Sequence, residues 1–229
     1  AIAPNLYSDV NGEYRGMDRK VHKAKGYDRY TVFSLWDTLR SLHPLLTIID
    51  RERTTDFIRS FLSIYDECGK LPIWELAGNE TNCMIGYHSV PVIADALVKG
   101  VGGFDANAAL DAMVASSRKA EFGIDVYINN GLVLAEKEHE SVSKTLEYAV
   151  DDWCIARLPN CSVVMTFIMN ISAVQSITAT YTIPRQDLCV PASTAFGSLH
   201  STQMRSMCTI LKPILGNTHS MCRRMSRDL

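Results

Sequence analysis

The sequence lacks the short motifs that mark the commonest metal and nucleophile sites. Its 7 cysteines include no pair at CxxC spacing, and neither an HExxH nor an HxH motif is present. A zinc ribbon, a dithiol redox site and a zinc-hydrolase helix are therefore not indicated. The odd cysteine count argues against a complete disulfide framework, and the absence of a nucleophile elbow argues against Ser/His/Asp chemistry.

Long apolar runs and phosphate loops are also missing. No apolar run reaches the roughly 20 residues that a bilayer-spanning helix needs, so the sequence predicts no membrane span. The glycine-rich segment KGVGGF is not followed by a lysine, as a phosphate loop would require. The first residues show neither a basic region nor an apolar region of the kind found in signal peptides, and we expect an internal piece of a longer protein.

The last third of the chain is poor in acidic residues. After Leu158 the sequence has no Glu and no Trp, and Asp187 and Asp228 are its only acids. Its few Lys and Arg are scattered, so no nucleic-acid partner is predicted. Three explanations stay open: a disordered tail, an unusual domain, or a shifted reading frame. Disordered segments normally carry Glu and Lys rather than Met, Ile and Cys, which favours the shifted frame.

The part of the chain before Leu158 shows helical periodicity. Apolar residues recur at spacings of three and four, which predicts helices over 33–43, 54–68, 87–99, 107–119 and 141–154. Thr54 or Thr55 is the predicted N-cap of the second helix, Gly69 its end, and Asn107 the N-cap of the fourth. Pro44 is expected to interrupt the first helix.

Successive helices joined by short loops predict a mainly α fold. Helix hairpins whose longer loops gather at one end fit part of an α/α toroid, and an ordinary helical bundle is the alternative. Residues 1–30 read as a lead-in of loops or short strands, residues 31–157 as the helical domain, and residues 158–229 as an irregular or disordered tail.

The first motif, SLWDTLR, contains Trp36, Asp37 and Arg40. An indole packs well against a sugar ring, while a carboxylate and a guanidinium bind hydroxyl groups, so the motif suits a carbohydrate site. The alternative is that Asp37 and Arg40 pair with each other, because residues three apart share a helix face.

The second motif, WELAGNETNCMIGYH, contains Trp74, Glu75, Glu80 and His88. Gly78 permits a tight turn that presents Glu80 inward. As alternatives, Glu80 caps a helix that begins near Met84, and His88 is a structural hydrogen-bond donor within that helix.

These two strings, together with GEYRGMDRKVH upstream, resemble glycoside hydrolase family 92, the calcium-dependent exo-acting α-mannosidases. The resemblance extends over about residues 7–156. It implies the first half of an α/α-toroid catalytic domain that hydrolyses terminal α-linked mannose with inversion. It also implies a Ca²⁺ cofactor, a mannose-terminated glycan as partner, and a periplasmic, cell-surface or secreted parent protein. The substrate-binding residues carried over are Trp36, Asp37, Arg40, Trp74, Glu75, Glu80 and His88.

Beyond about residue 156 the resemblance continues only in a shifted reading frame. The codons for residues 200–225, shifted by one base, permit a segment that contains YTEANTWQY, which resembles the family segment bearing the general acid. The written chain has Leu211 and Lys212 there. We therefore predict a frameshift near residues 156–158, no catalytic acid or base in this chain, and calcium ligands largely outside it. The chain alone is expected to have little or no activity.

Two other classes remain open from the sequence. One is a different α/α-toroid glycosidase, of the trehalase or glucoamylase-like type. The other is a non-catalytic carbohydrate-binding or helical interaction protein, which would bind mannose without hydrolysing it.

Overall fold

The computed structural model describes residues 3–158 and shows a mainly helical domain. Its helices are α1 (Leu35–Thr38), α2 (Leu42–Ile49), α3 (Arg51–Cys68), α4 (Ser89–Val98), α5 (Ala106–Ser116), α6 (Ile124–Asn130) and α7 (Ser141–Ala156). Its strands are β1 (Asn5–Leu6), β2 (Glu13–Arg15), β3 (Val21–Lys23), β4 (Tyr30–Thr31), β5 (Phe33–Ser34) and β6 (Trp74–Glu75). The predicted fold class is thus confirmed as mainly α, while the tail from residue 159 onward lies outside the described residues.

The strands form three short antiparallel pairs. β1 pairs with β4, β2 with β3, and β5 with β6. The first three strands lie in the lead-in, where the sequence predicts loops or short strands. The third pair joins the two motifs, since β5 precedes α1 and β6 begins the loop that leads to α4.

The caps of two helices differ from the sequence prediction. Asp50, rather than Thr54 or Thr55, caps α3, because its carboxylate accepts a hydrogen bond of 3.1 Å from the backbone N–H of Arg53. The hydroxyl of Thr54 instead donates to the carbonyl of Asp50 within the first turn. Gly69 ends the helix as predicted, with a left-handed φ of 73°.

The N-cap of α5 and the break in the first predicted helix also lie a few residues from their predicted positions. Asp105 caps α5 with bonds of 2.9 and 3.1 Å to the first turn, in place of Asn107. The helix predicted over 33–43 breaks between α1 and α2, ahead of Pro44. Proline is tolerated in the first turn of α2 because the N–H groups there have no intrahelical partner.

Helix α4 lies at the centre of the domain and packs against α2, α3, α5 and α7. Its Val90, Val92, Ile93 and Ala96 are buried on nearly all sides, as expected for an internal helix. The core continues into α3, where Phe61 is fully buried and packs edge-on against Phe33 of β5. This packing holds the β5 end of the first motif against α3. Within residues 3–158, no helix combines the length and apolar character needed to cross a membrane.

Candidate functional site

The two sequence motifs meet through β5 and β6. Phe33 lies opposite Glu75 and Ser34 opposite Trp74 in this antiparallel pair. Because SLWDTLR begins at the end of β5 and the second motif begins in β6, pairing of these strands places both motifs at one edge of the domain.

Glu75, in β6 of this strand pair, is fully buried. Its oxygens accept hydrogen bonds from the backbone N–H of Gly78 at 2.7 Å and of Val32 at 3.2 Å. The hydroxyl of Thr31 lies within 3.0 Å of both oxygens. Burial raises the pKa of Glu75, although the N–H of Gly78 and the charge of Arg29 act in the opposite direction. These contacts suit a residue that supports the loop from within, and direct contact with sugar stays a prediction.

The backbone around Glu75 is held in left-handed conformations. Val32 has a φ of 65° and Ala77 a φ of 48°, which are costly for residues with a side chain. Gly78 has a φ of 71°, and a Cβ there would lie 2.7 Å from the carbonyl oxygen of Arg15. The loop after β6 therefore needs glycine at this position, and Glu75 holds that loop in place.

Glu80 stabilises the same loop from its half-exposed side. One oxygen accepts from the N–H of Ile73 at 2.9 Å, and the other from Trp74 at 2.9 Å and Asn82 at 2.8 Å. Since α4 begins at Ser89, Glu80 does not cap that helix, contrary to the alternative drawn from the sequence. Its role in substrate binding stays a prediction.

Trp36 and Arg40 converge on a residue that the sequence analysis missed, Glu147 of α7. Oε1 of Glu147 accepts hydrogen bonds from Nε1 of Trp36 and Nη2 of Arg40, both 3.1 Å long. The Arg40 guanidinium also lies 4.5 Å from the Trp36 ring centroid and donates to the Trp36 carbonyl, a cation–π arrangement. The side chains of Arg40 and Glu147 are each only 10% exposed.

His88 joins the same group from the N-terminal end of α4. Its Nε2 lies 3.5 Å from Oε2 of Glu147, and its Nδ1 lies 2.9 Å from Oδ1 of Asp151. Oδ2 of Asp151 accepts from the backbone N–H of Tyr87 at 2.8 Å. We call Trp36, Arg40, His88, Glu147 and Asp151 the Glu147 cluster. His88 is the N-cap residue of α4, whereas the alternative drawn from the sequence placed it within the helix.

The cluster depends on one glycine. Gly86 has a φ of 86°, and a Cβ at this position would lie 2.3 Å from Nε2 of His88. Only a residue without a side chain leaves room for the imidazole beside Glu147.

Asp37 and Trp74 have separate surroundings. Asp37 is exposed and accepts a hydrogen bond from the hydroxyl of Ser34. It does not pair with Arg40, whose carboxylate partner is Glu147. Trp74 is half-buried, and its carbonyl accepts hydrogen bonds from the backbone and the hydroxyl of Thr81. The structure therefore brings Trp36, Arg40 and His88 together and leaves these two residues outside the cluster.

The spacing of Glu147 and Asp151 was the signal that could have revealed them. Two carboxylates four residues apart share a helix face and repel each other. When both are buried, they require a cation between them, and His88 occupies that position. Asp151 and the adjacent Asp152 are both buried.

Asp152 forms a second polar contact beside the cluster. Its Oδ1 accepts from the hydroxyl of Tyr87 at 2.6 Å. Burial raises the pKa of Asp152 to about 7, and the neighbouring charge of Asp151 acts in the same direction. Tyr87 thus ties both adjacent carboxylates to the start of α4.

Two further features bear on ligands. A cavity of about 20 Å³ lies beside Leu71, Tyr87 and Phe122, which accommodates a single water rather than a hexose.

Among residues 3–158, no three His, Cys, Asp or Glu side chains are grouped so as to hold a metal ion. Calcium takes six to eight oxygen ligands, and the carboxylates of Glu75, Glu80 and Glu147 already accept N–H donors. The described residues therefore do not form the calcium site that the resemblance implies.

The comparisons with known proteins agree on one family. The model of the glycosyl hydrolase family 92 catalytic domain matches residues 1–161. The chain belongs to glycosyl hydrolase family 92. Membership decides against a trehalase or glucoamylase-like enzyme. No curated protein matches the chain.

Solved family 92 structures resemble this chain over most of its length. An α-mannosidase of the family from Bacteroides thetaiotaomicron, in complex with mannoimidazole, is 48% identical, with a TM-score of 0.67 over 69% of this chain and 21% of that chain. Another structure of a family 92 α-mannosidase from this species gives 43% identity, a TM-score of 0.68, and coverage of 75% and 23%. An inverting mannosidase of the family from the same species gives 32% identity, a TM-score of 0.60, and coverage of 76% and 24%. This family 92 chain thus spans no more than 24% of the length of these relatives.

Proposed function

We propose that this chain is the part of a family 92 α-mannosidase that binds a terminal α-linked mannose through Trp36 and Arg40. The observation that carries the proposal is the 48% identity to an α-mannosidase whose structure contains mannoimidazole. The half-exposed indole of Trp36 supplies a surface for the apolar face of a pyranose, and Arg40 supplies charged donors for its hydroxyl groups.

The whole enzyme is proposed to hydrolyse the α-mannoside with inversion and with Ca²⁺. Inversion needs an acid and a base whose carboxyl groups lie roughly 6.5–9.5 Å apart. Both oxygens of Glu75 and of Glu80 already accept backbone N–H groups, and Glu147 is paired with Arg40. We therefore place the acid, the base and the calcium ligands outside residues 3–158, in an arrangement that includes the complete toroid.

The proposal is tested on the 229-residue chain by NMR titration with methyl α-mannoside and with methyl α-galactoside. We expect saturable binding of the mannoside only, and no release of nitrophenol from 4-nitrophenyl α-mannoside with or without calcium. Arg40→Met is expected to lose binding, whereas Arg53→Met, at a half-exposed surface ion pair, is expected to keep it. Absence of mannoside binding would overturn the proposal. Calcium-dependent hydrolysis by this chain would overturn the placement of the acid, the base and the calcium ligands outside residues 3–158.

A non-catalytic carbohydrate-binding protein is the second candidate, because the carboxylates near the motifs are all engaged by other groups. The reading frame discriminates between the two candidates. The family match ends at residue 161, just after the proposed frameshift at 156–158. Sequencing the gene across these codons is expected to reveal an insertion or deletion of one base. An unshifted frame would favour the second candidate.

A further inference from the structure

One carboxylate oxygen positions both proposed sugar-binding side chains. Oε1 of Glu147 accepts from the indole of Trp36 and from the guanidinium of Arg40 at the same distance of 3.1 Å. Trp36 lies in α1 and Arg40 just after it, whereas Glu147 lies in α7. A shift of this single oxygen therefore changes the orientation of the ring and of the charged donor together.

The other oxygen of Glu147 faces His88, which is itself anchored. His88 is 2% exposed, and its Nδ1 lies 2.9 Å from the fully buried Asp151. Asp151 is held in turn by the backbone N–H of Tyr87. The imidazole is thus fixed on one side, and on the other its Nε2 lies 3.5 Å from Oε2 of Glu147, an ion-pair distance without a hydrogen bond.

The charges of this group balance only when His88 is protonated. Arg40 and protonated His88 then alternate with Glu147 and Asp151, and the buried group carries no net charge. Burial acts to lower the pKa of His88, but Asp151 and Glu147 outweigh burial and the opposing charge of Arg40, so the pKa is raised. These are the charged groups that face His88 among the described residues.

We infer that Glu147 is a positioning residue for Trp36 and Arg40, and that protonated His88, anchored by Asp151, keeps Glu147 in place. The inference rests on the proposed function, since it takes Trp36 and Arg40 as the sugar-binding pair. Loss of the Nε2 proton leaves a nitrogen lone pair facing the carboxylate of Glu147, and the lone pair and the carboxylate repel each other. The positions of the indole and the guanidinium then follow the protonation of His88.

The deciding experiment follows the Trp36 indole N–H and the His88 imidazole by NMR in the 229-residue chain between pH 5 and 9. We expect both signals to titrate with one midpoint. Asp151→Asn removes the anion that raises the pKa and is expected to shift both midpoints together to lower pH by about 1 unit. Glu147→Gln is expected to uncouple the two signals. The matched control, Glu138→Gln, removes a carboxylate that precedes α7 and pairs with Lys144 of that helix, and it is expected to change neither signal.

The outcomes separate this inference from the proposed function. The inference is overturned if the Trp36 signal does not titrate with His88 in the natural chain, or if it still titrates with His88 in Glu147→Gln. The Glu147→Gln result decides this even when Asp151→Asn fails to fold. Methyl α-mannoside is then added on either side of the midpoint, where we expect binding to weaken about tenfold on the alkaline side. Coupled signals without mannoside binding at any pH would support the positioning role and overturn the proposed function.

Discussion

Trp36 and Glu147 lie 111 positions apart in the sequence and are joined by a hydrogen bond of 3.1 Å between Nε1 and Oε1. Helix α7 also packs against α4, whose N-cap residue, His88, is a further partner of Glu147. One helix thus carries the acceptor for a side chain of the first motif, and another carries the cation that holds this acceptor.

Removing the carboxylate of Glu147 is expected to destabilise the domain strongly. Glu147→Ala leaves Arg40 and His88 without their shared anion in a site that is almost closed to water. Breaking a buried ion pair from one side costs about 3 kcal/mol in the free energy of unfolding. Urea denaturation followed by circular dichroism measures this value. Arg53→Ala, which breaks an exposed pair with Asp50, is expected to cost less than about 1 kcal/mol, and equal losses would contradict the assignment.

Gly86 and Gly69 form a matched pair for testing the space beside His88. Both have left-handed backbones, with φ of 86° and 73°, but only at Gly86 would a Cβ meet the imidazole. Gly69→Ala is expected to lower the free energy of unfolding by roughly 1–2 kcal/mol through backbone strain alone. Gly86→Ala is expected to cost more and to displace the His88 imidazole signal in NMR spectra. If the two variants are equally stable, the close approach of Gly86 to His88 is not present in solution.

His43 is expected to make the domain sensitive to acid. It is 1% exposed, packs edge-on against Phe57 and Phe61, and has no hydrogen-bond partner at either ring nitrogen among the described residues. Burial lowers the pKa of His43 to about 4. Because the unfolded chain takes up the proton near pH 6.5 and the folded one only near pH 4, stability falls as the pH drops through this window, by about 3 kcal/mol.

His43→Phe removes this titration, and the free energy of unfolding of this variant is expected to change less between pH 6.5 and 4. His139→Gln replaces an exposed histidine and serves as the control, with the pH dependence of the natural chain. Urea titrations at several pH values measure the slopes. Parallel slopes for the natural chain and His43→Phe would show that His43 does not cause the acid sensitivity.

Replacing the carboxylate of Glu75 by an amide is expected to destabilise the domain. In Glu75→Gln the new NH₂ group faces the N–H of either Gly78 or Val32, so two donors meet where the carboxylate accepted. A buried group left without its partner costs about 1–3 kcal/mol, although the two side chains have nearly the same shape. Thermal unfolding monitored by circular dichroism tests this, with the exposed Glu52→Gln as control. A variant as stable as the natural chain would indicate that Glu75 is protonated in the folded domain.

The helices were largely predictable, and their caps were less so. The end of α3 at Gly69 follows from local sterics, because glycine adopts the left-handed conformation freely. The caps Asp50 and Asp105 were missed because neighbouring Thr54 and Asn107 are equally suitable by residue type, and only the packed helix selects among them. Helix α6, flanked by glycines at 123 and 131, was missed because seven residues show too little periodicity.

By itself the sequence determined the family, the mainly helical class and three members of the Glu147 cluster, since motif strings and periodicity are local properties of the chain. The tertiary structure determined what these residues contact. In the folded domain Glu75 is buried beneath the loop, Glu80 accepts hydrogen bonds from backbone N–H groups, and Glu147 and Asp151 lie beside His88. These outcomes depend on burial and on contacts between distant segments, where the cost of an unpaired charge, rather than local preference, determines which partners meet.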